Sequence, residues 1–251
     1  MITRVDAPDG VVRIILNRPE RHNALVPELL EPLLLTLQQL QQAPPRVLIL
    51  AAEGRSFSTG GDVAAFYAVP ASERGEYAAT LVGLLHESIL ALLSLPCPTL
   101  AEVQGAVTGG SVGLVLACDL VVAAPQASFA PWYTVVGFSP DGGWSCLMAD
   151  RVGRNKALEI QLLNLCIKAE EAQQLGLIHQ MVPQETLAAS AMQLAARVSC
   201  GVTGSIRHTL ALTRPDLHQV AKALEQEKIH FLQQIVTSEA EEGMRQFLAK
   251  R

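Results

Sequence analysis

The sequence has little charge, little aromatic character and no ordered cysteine pattern. Only 17% of its 251 residues are charged, and the net charge is −5. Nucleic-acid binding depends on clustered Lys and Arg, so we expect no nucleic-acid partner. The five cysteines are scattered without CxxC or Cys/His spacing, which predicts neither a disulfide framework nor a metal site. We interpret all five as buried, small apolar residues.

Long hydrophobic runs and targeting signals are also missing. No apolar stretch reaches the length of a bilayer span before Gly, Pro or a charged residue interrupts it. The N-terminus, MITRVD, has neither the basic-then-apolar layout of a signal peptide nor an Arg-rich transit segment. With 49% apolar residues, the chain can bury a sizeable core. We therefore expect a soluble cytoplasmic protein with no membrane partner.

Strand and helix patterns alternate in the first half of the chain. Apolar runs bounded by turn residues predict strands at 11–16, 46–51, 99–103 and 120–124, and helical spacing predicts helices at 27–42 and 76–95. The turn-rich stretch between them predicts an irregular surface loop at 66–75. The connections between these predicted strands are too long for hairpins, which indicates an α/β fold with parallel strands. The last third predicts helices at 154–164, 169–175, 184–200, 203–213, 216–235 and 238–249.

Two glycine-rich turns carry the strongest chemical signal. FSTGGD (57–62) and GAVTGGSVG (105–113) each follow a buried strand and lead into a helix, where free backbone N–H groups favour negative charge. Two such turns can direct two amides at one oxygen, as the oxyanion of a thioester requires. The alternative is that the glycines only permit tight turns or close packing. Neither turn has the phosphate-binding pattern GxxxxGK[ST], and the dinucleotide pattern GxGxxG is missing from the second.

Successive segments over nearly the whole chain resemble the crotonase (enoyl-CoA hydratase/isomerase) superfamily. They are LNRPERHNAL (16–25), SFSTGGD (56–62), PTLAEVQGAVTGGSVGLVLACDLVVAA (98–124), RVGRNKALEI (151–160), AEEAQQLGLIHQMVP (169–183) and GMRQFLAKR (243–251). The resemblance implies an α/β spiral of ββα units over 1–200 and a C-terminal helical trimerisation region over 201–251. It also implies an acyl-CoA thioester substrate, coenzyme A as part of that substrate rather than a separate cofactor, and a homotrimer or hexamer.

The resemblance assigns several residues by position. The amides of Thr59 and Gly110 correspond to the oxyanion hole, and Arg21 corresponds to the basic residue near the CoA phosphates, although it could equally be a solvated turn residue. The CoA-binding set implied by the motifs is Arg21, Ala24, Ser58, Gly60, Gly61 and Asp62.

Departures from the superfamily narrow the expected reaction. Its hydratases use two glutamates, and their positions correspond here to Gly113 and Tyr133, so we do not expect a conventional hydratase. Asp141, in GFSPDGGW, corresponds to the proton shuttle of the isomerases. Desolvation could raise its pKa in an aromatic substrate pocket, whose predicted members besides Gly113 and Tyr133 are Trp132, Phe138 and Trp144. The alternative is an Asp that caps a Pro-Asp-Gly turn.

Two other functions remain open at this point. The 4-chlorobenzoyl-CoA dehalogenases also have an Asp at this place as nucleophile, and Trp132 and His86 match their assisting Trp and His. Both residues could instead be packing residues. A catalytically degenerate CoA-binding or RNA-binding homologue is the third possibility. We rank an enoyl-CoA isomerase first, and Glu102, within a predicted strand, is a candidate buried carboxylate without a role.

Overall fold

A computed structural model describes residues 1–7 and 9–250. The strands are β1 Ile2–Asp6, β2 Val11–Leu16, β3 Val47–Ala52, β4 Thr99–Val103, β5 Ala106–Thr108, β6 Leu120–Ala123, β7 Ser128–Ala130, β8 Ile167–Lys168 and β9 Gln180–Met181. The α-helices are α1 Pro27–Gln42, α2 Val63–Ala68, α3 Arg74–Ser94, α4 Ser111–Leu116, α5 Tyr133–Val136, α6 Leu147–Val152, α7 Arg154–Leu162, α8 Ala169–Gln174, α9 Leu187–Ser199, α10 Thr203–Thr213, α11 Leu217–Ile235 and α12 Ser238–Ala249. Pro8 and Arg251, which belong to the predicted core and C-terminal ranges, lie outside the described residues.

A mixed sheet forms the centre of the molecule. Its six strands run in the order β1-β2-β3-β4-β6-β9, and all neighbours pair in parallel except β1 and β2, which are antiparallel. A second sheet has the order β5-β7-β8. Strands β2 to β4 are apolar along almost their whole length because side chains cover both sheet faces. The α/β class and the parallel strands predicted from the pattern are confirmed.

Helix α3 is the central helix of the larger core. It packs against α1 and α11, and its buried residues include Leu81, Leu85 and Ile89. By length and composition this helix could cross a membrane, but 56% of its most apolar window is buried inside the fold. Glu87 and Gly83 also interrupt the run, and we interpret α3 as a core helix.

The predicted surface loop at 66–75 is confirmed for residues 69–73, which join α2 to α3 and are mostly exposed, and is wrong at its two ends. Residues 63–68 form α2, and the Phe66 ring within it is buried. Arg74 begins the next helix with its side chain buried, where it donates hydrogen bonds to the carbonyl oxygens of Phe66 and Val69 and pairs with Glu241 of α12. This guanidinium satisfies carbonyls that a mobile loop would leave to water, and it fastens the segment to the C-terminal helix.

The C-terminal helices differ from expectation in where their apolar residues lie. A trimerisation region over 201–251 would place apolar residues of α11 against other subunits, but Val220, Leu224, Phe231 and Ile235 are buried within the same chain. Helix α10 contains no buried residue, and Leu212 on it is 85% exposed. These four residues of α11 are therefore not available to a partner subunit. The exposed helix α10 is the candidate partner surface instead.

The burial of the cysteines differs from the prediction, and Glu102 has a buried ion-pair partner. Cys97 and Cys118 are buried as expected, whereas Cys166 and Cys200 are exposed, so the prediction that all five are buried is wrong. Glu102 on β4 is buried, and burial raises its pKa although the charge of Arg13 opposes the rise. The Arg13 Nη2 donates to Glu102 Oε1 at 2.6 Å. This ion pair explains how the sheet accommodates the carboxylate.

Arg214, between α10 and α11, offers a test of this packing. Its guanidinium donates to both Asp119 oxygens at 2.7 and 2.6 Å and to the carbonyl oxygens of Leu93 and Cys97 at 3.0 and 2.8 Å. We expect Arg214→Ala to lower the free energy of unfolding by roughly 3–5 kcal/mol, because Asp119 is then left without its partner.

Chemical denaturation followed by circular dichroism measures this change. The exposed Arg207 on α10 supplies the control, since Arg207→Ala removes the same charge without breaking a described contact. Equal stability of the two variants would contradict the role given to Arg214.

Candidate active site

The two glycine-rich turns lie side by side. The Ser58 amide donates to the Ala106 carbonyl oxygen at 3.1 Å, and the Thr108 amide donates to the Ser58 carbonyl oxygen at 3.0 Å. Gly60 has a φ of +74°, and a Cβ there would lie 2.6 Å from the Thr108 carbonyl oxygen. A side chain at residue 60 would therefore separate the turns as well as strain the backbone.

Three buried polar side chains hold the first turn in place. Asn23 Nδ2 donates to the carbonyl oxygens of Glu53 and Ser56, and Gln104 Nε2 also donates to the Ser56 carbonyl oxygen. Ser58 Oγ donates to the Asn23 carbonyl oxygen at 2.7 Å. Ser58 is thus a structural residue outside the cavity lining, which corrects its assignment to CoA binding. Asn23 and Gln104 were not predicted from the sequence, although both are polar residues within the segments that resemble the superfamily.

A cavity of about 690 Å³ opens beside these turns. Its apolar wall includes Phe66, Phe138 and Phe231, whose rings are 5.3 to 5.9 Å apart between centroids. Of the predicted site residues, those that line the cavity are Arg21, Ala24, Thr59, Gly60, Gly61, Asp62, Gly110, Trp132, Tyr133, Phe138 and Asp141.

The free amides at the cavity differ from the predicted pair. The Thr59 amide donates to the His22 carbonyl oxygen at 3.2 Å, so it is already occupied. Gly61 and Gly110 also line the cavity, and neither amide has an acceptor within residues 1–7 and 9–250. The assignment of Thr59 is therefore wrong, and Gly61 and Gly110 are the candidate oxyanion donors.

Asp141 lies next to Gly110 with its side chain buried. A Cβ built on Gly110 would be 2.8 and 3.0 Å from the two carboxylate oxygens, which shows how closely the carboxylate approaches the Gly110 backbone. The Tyr133 hydroxyl donates to Asp141 Oδ1 at 2.5 Å. Burial raises the pKa of Asp141 to about 7, a rise that the Tyr133 hydrogen bond opposes and the charge of Glu227 assists. Burial also raises the pKa of Tyr133, which therefore stays a hydrogen-bond donor at neutral pH.

Glu227 of α11 holds the turn that carries Asp141. Its two carboxylate oxygens accept hydrogen bonds from the amides of Gly143 and Ser145, both at 2.7 Å. Burial raises the pKa of Glu227, and these two hydrogen bonds oppose the rise. Glu227 was not predicted from the sequence, because it follows this turn by more than 80 residues and lies in no local motif.

His86 and Trp144 lie behind this turn rather than in the cavity lining. His86 Nε2 accepts a hydrogen bond from the Gly142 amide at 3.3 Å, and Trp144 Nε1 donates to the Gly109 carbonyl oxygen at 2.9 Å. Burial, with a smaller contribution from the charge of Lys228, lowers the pKa of His86 to about 3. Both residues support the site, so the catalytic place predicted for His86 and the pocket place predicted for Trp144 are corrected.

Gly113 is likewise outside the cavity lining. A Cβ at this position would overlap the Gly142 carbonyl oxygen, because the backbones of the two segments are in direct contact. Gly142 has a φ of +68°, and a Cβ there would lie 2.5 Å from the Gly110 carbonyl oxygen. The predicted pocket position at residue 113 is therefore filled by backbone and has no room for a carboxylate.

Trp132 lines the cavity, but its side chain is not the one that assists Asp141. Its backbone is left-handed with a φ of +62°, and its indole ring contacts Phe247 of α12 edge-on, with centroids 6.0 Å apart. The hydrogen bond to Asp141 Oδ1 comes from Tyr133 instead.

Charged residues surround the entrance to the cavity. Asp62 caps α2 and pairs with Arg21 at 3.1 Å and Arg18 at 3.2 Å. Burial alone would raise the pKa of Asp62, but the hydrogen bonds and charge of these arginines hold it below the ordinary value. Arg21 remains half exposed, and Lys250 lines the same cavity. The entrance therefore presents two cations.

Comparison with known proteins agrees with the segments that resemble the crotonase superfamily. The enoyl-CoA hydratase/isomerase family profile matches residues 6–251. The chain belongs to the enoyl-CoA hydratase/isomerase family. It is thus an enzyme of the crotonase superfamily, whose members act on CoA thioesters, and the expected crotonase-like α/β fold is confirmed.

Relatives within this family include enzymes with different reactions. The chain is 30% identical over 246 residues to a 1,2-epoxyphenylacetyl-CoA isomerase of Escherichia coli, covering 96% of this chain and 93% of the relative. It is 29% identical to a 4-chlorobenzoyl coenzyme A dehalogenase of an Arthrobacter species, covering 93% and 84%. The crystal structure of an enoyl-CoA hydratase from Mycobacterium avium subsp. paratuberculosis has a TM-score of 0.88 and 27% identity, covering 100% and 96%.

The environment of Asp141 in this family member is directly measurable. In protein labelled with ¹³C at the aspartate carboxyl carbons, we expect the Asp141 signal to titrate near pH 7. Tyr133→Phe should raise this midpoint, because the variant loses a hydrogen bond that stabilises the ionised carboxylate. The signal that is missing from the Asp141→Asn spectrum belongs to Asp141. Tyr67→Phe, at a partly exposed tyrosine, serves as the control. A midpoint below about 5, in the ordinary range for aspartate, would contradict the described environment.

Proposed function

We propose that this enzyme is an enoyl-CoA isomerase that moves a carbon–carbon double bond through a dienolate. The observation that carries this proposal is the placement of Asp141 beside the free amide of Gly110. The other carboxylates lining the cavity are Glu20, which is exposed to solvent, and Asp62, which is paired with two arginines. A single available proton carrier is sufficient for isomerisation.

The geometry supports a simple reaction sequence. The thioester oxygen accepts hydrogen bonds from the amides of Gly61 and Gly110, which stabilise the negative charge that develops on it. Ionised Asp141 removes a proton from C2 of a 3-enoyl-CoA, and the electron pair of that C–H bond forms the dienolate. Protonated Asp141 then returns the proton to C4, giving the 2-enoyl-CoA. A carboxyl group with a pKa near 7 can both accept and return a proton at neutral pH.

Hydration and dehalogenation have less support. Addition of water needs an acid and a base, and the backbone of Gly142 fills the space at Gly113 where hydratases have a glutamate. Dehalogenation would need a base near Asp141, but His86 Nε2 is occupied by the Gly142 amide. Trp132 contacts Phe247 instead of Asp141. We therefore rank the isomerase ahead of both, and the intact surroundings of Asp141 argue against a degenerate binding protein.

The cavity also suggests the kind of substrate. Arg21 and Lys250 at the entrance can meet the anionic phosphates of CoA, whereas aromatic rings line the acyl part. These rings belong to Phe66, Trp132, Phe138, Phe231 and Phe247 and favour a cyclic or aromatic acyl group. The proposed reaction needs no cofactor besides the CoA of the substrate. A cytoplasmic location stays a prediction.

Replacement of Asp141 tests the proposed reaction. We expect Asp141→Asn to lower the turnover of 3-enoyl-CoA at least ~100-fold while substrate binding is retained, because an amide cannot carry the proton. Turnover is followed by the absorbance of the conjugated 2-enoyl thioester, and binding by calorimetry. The exposed Asp150→Asn is the matched control.

The same assay separates the rival reactions. Wild-type protein should neither hydrate crotonyl-CoA appreciably nor release chloride from 4-chlorobenzoyl-CoA. Chloride release with a covalent adduct on Asp141 would replace the isomerase with the dehalogenase, and an active Asp141→Asn variant would exclude Asp141 as proton carrier.

We also propose that the enzyme is a trimer or a dimer of trimers in which α10 contributes to the contact between subunits. Leu212 on α10 and Val202 just before the helix are 85% and 74% exposed, and exposed apolar side chains favour association. We expect Leu212→Glu to shift the sedimentation profile toward the monomer, whereas Leu35→Glu on α1 should not. A stable wild-type monomer at micromolar concentration would contradict this assembly.

A further inference from the structure

Glu227 is a buried carboxylate to which the proposed reaction assigns no role. It lies in the middle of α11 and is 5% exposed. Burial of a charged carboxylate is destabilising unless hydrogen bonds compensate for the lost water. Its hydrogen bonds are not to α11 but to the turn that carries Asp141. This placement links the protein interior to the candidate active site.

The hydrogen bonds of Glu227 favour its ionised form, although burial opposes ionisation. Each of its oxygens accepts an N–H group at 2.7 Å, from Gly143 and Ser145, and such donors stabilise a carboxylate more than a protonated carboxyl. His86 Nε2 is 4.0 Å away but uses its lone pair to accept the Gly142 amide, so it is neutral. His86 therefore does not cancel the charge of Glu227.

The turn itself depends on these side chains. Gly142 and Gly143 have φ values of +68° and +89°, so the turn forms no regular backbone ladder. The His86 side chain of α3 and the Glu227 side chain of α11 accept hydrogen bonds from the amides of Gly142, Gly143 and Ser145. Loss of the Glu227 contacts would release two of these three amides and allow Asp141 to move away from Gly110.

The charge of Glu227 also acts on Asp141. Glu227 accepts a hydrogen bond from the Gly143 amide, two residues after Asp141. Two buried carboxylates this near in one turn disfavour simultaneous ionisation, since like charges repel strongly in a buried site. The titratable or charged groups near this pair are His86 of α3, Tyr133 of α5, Cys146 before α6 and Lys228 of α11. Tyr133 and Cys146 are neutral at pH 7 because burial raises the pKa of both.

We propose that Glu227 is a positioning residue for Asp141, because its carboxylate fixes the 141–145 turn beside Gly110. This inference rests on the proposed isomerase function, in which Asp141 carries the proton. The two effects of Glu227, geometry and charge, can be separated by two substitutions.

Glu227→Gln keeps the length of the side chain but removes its charge and one acceptor. We expect the acid limb of the kcat/KM profile to move to lower pH by on the order of one unit, because Asp141 then ionises more easily. Glu227→Asp keeps the charge but is one methylene shorter, so it should leave the acid limb near its wild-type position. Both variants should lower kcat about 10- to 100-fold through misplacement of Asp141.

A titration that does not depend on turnover accompanies the kinetics. The ¹³C signal of Asp141 should have a lower midpoint in Glu227→Gln and an almost unchanged one in Glu227→Asp. Glu225→Gln, an exposed residue of the same helix, controls for the change in net charge. Circular dichroism establishes that each variant is folded, and Glu227→Asp still tests the positioning effect if Glu227→Gln does not fold.

The outcomes distinguish this inference from the proposed function. An unshifted Asp141 midpoint in folded Glu227→Gln would overturn the electrostatic role, and wild-type kcat in Glu227→Asp would overturn the positioning role. If Asp141→Asn is inactive and either result is obtained, only the inference fails. If Asp141→Asn remains active, the proposed function fails regardless of Glu227.

Discussion

The site depends on direct contact between the backbones of three segments. Residues 58–61 lie against residues 107–110, and Gly110 lies in turn against Gly142. No side chain separates these segments, because a Cβ at Gly60 or Gly142 would be only 2.6 or 2.5 Å from a carbonyl oxygen. Backbone contact of this kind places free amides and a carboxylate closer together than side-chain packing would permit. The cavity, the oxyanion donors and the position of Asp141 all follow from it.

Burial has different consequences for the aspartates of the same cavity. Asp62 is paired with Arg18 and Arg21, and these cations hold its pKa below the ordinary range. Asp141 has a phenol as its side-chain hydrogen-bond donor and the negative Glu227 nearby, and burial raises its pKa to about 7. Asp62 is thus suited to hold the entrance residues in place, whereas Asp141 is suited to exchange protons. Neighbouring charges decide between the two.

One physical reason explains why the predicted places of Thr59, His86 and Trp144 were wrong. The sequence located Thr59 in the correct turn, yet the direction of each amide depends on the φ and ψ angles of the whole turn. The amide of Thr59 meets the His22 carbonyl oxygen, and that of Gly61 remains free. His86 and Trp144 were predicted from their positions in motifs, but a motif does not show which side of a turn a side chain occupies. Both lie behind the turn and hold its backbone.

The sequence alone determined the α/β class, the parallel strands and the two glycine-rich turns, because these depend on local patterns of apolar, glycine and turn residues. Asp141 came from the resemblance to the superfamily, since its local motif also fits an ordinary turn. Only the tertiary structure decided that Gly61 supplies the free amide and that Tyr133 donates to Asp141. It also brought Glu227 to a turn more than 80 residues earlier in the chain. Contacts between segments that are distant in the chain leave no periodic signal, since they depend on how whole elements pack.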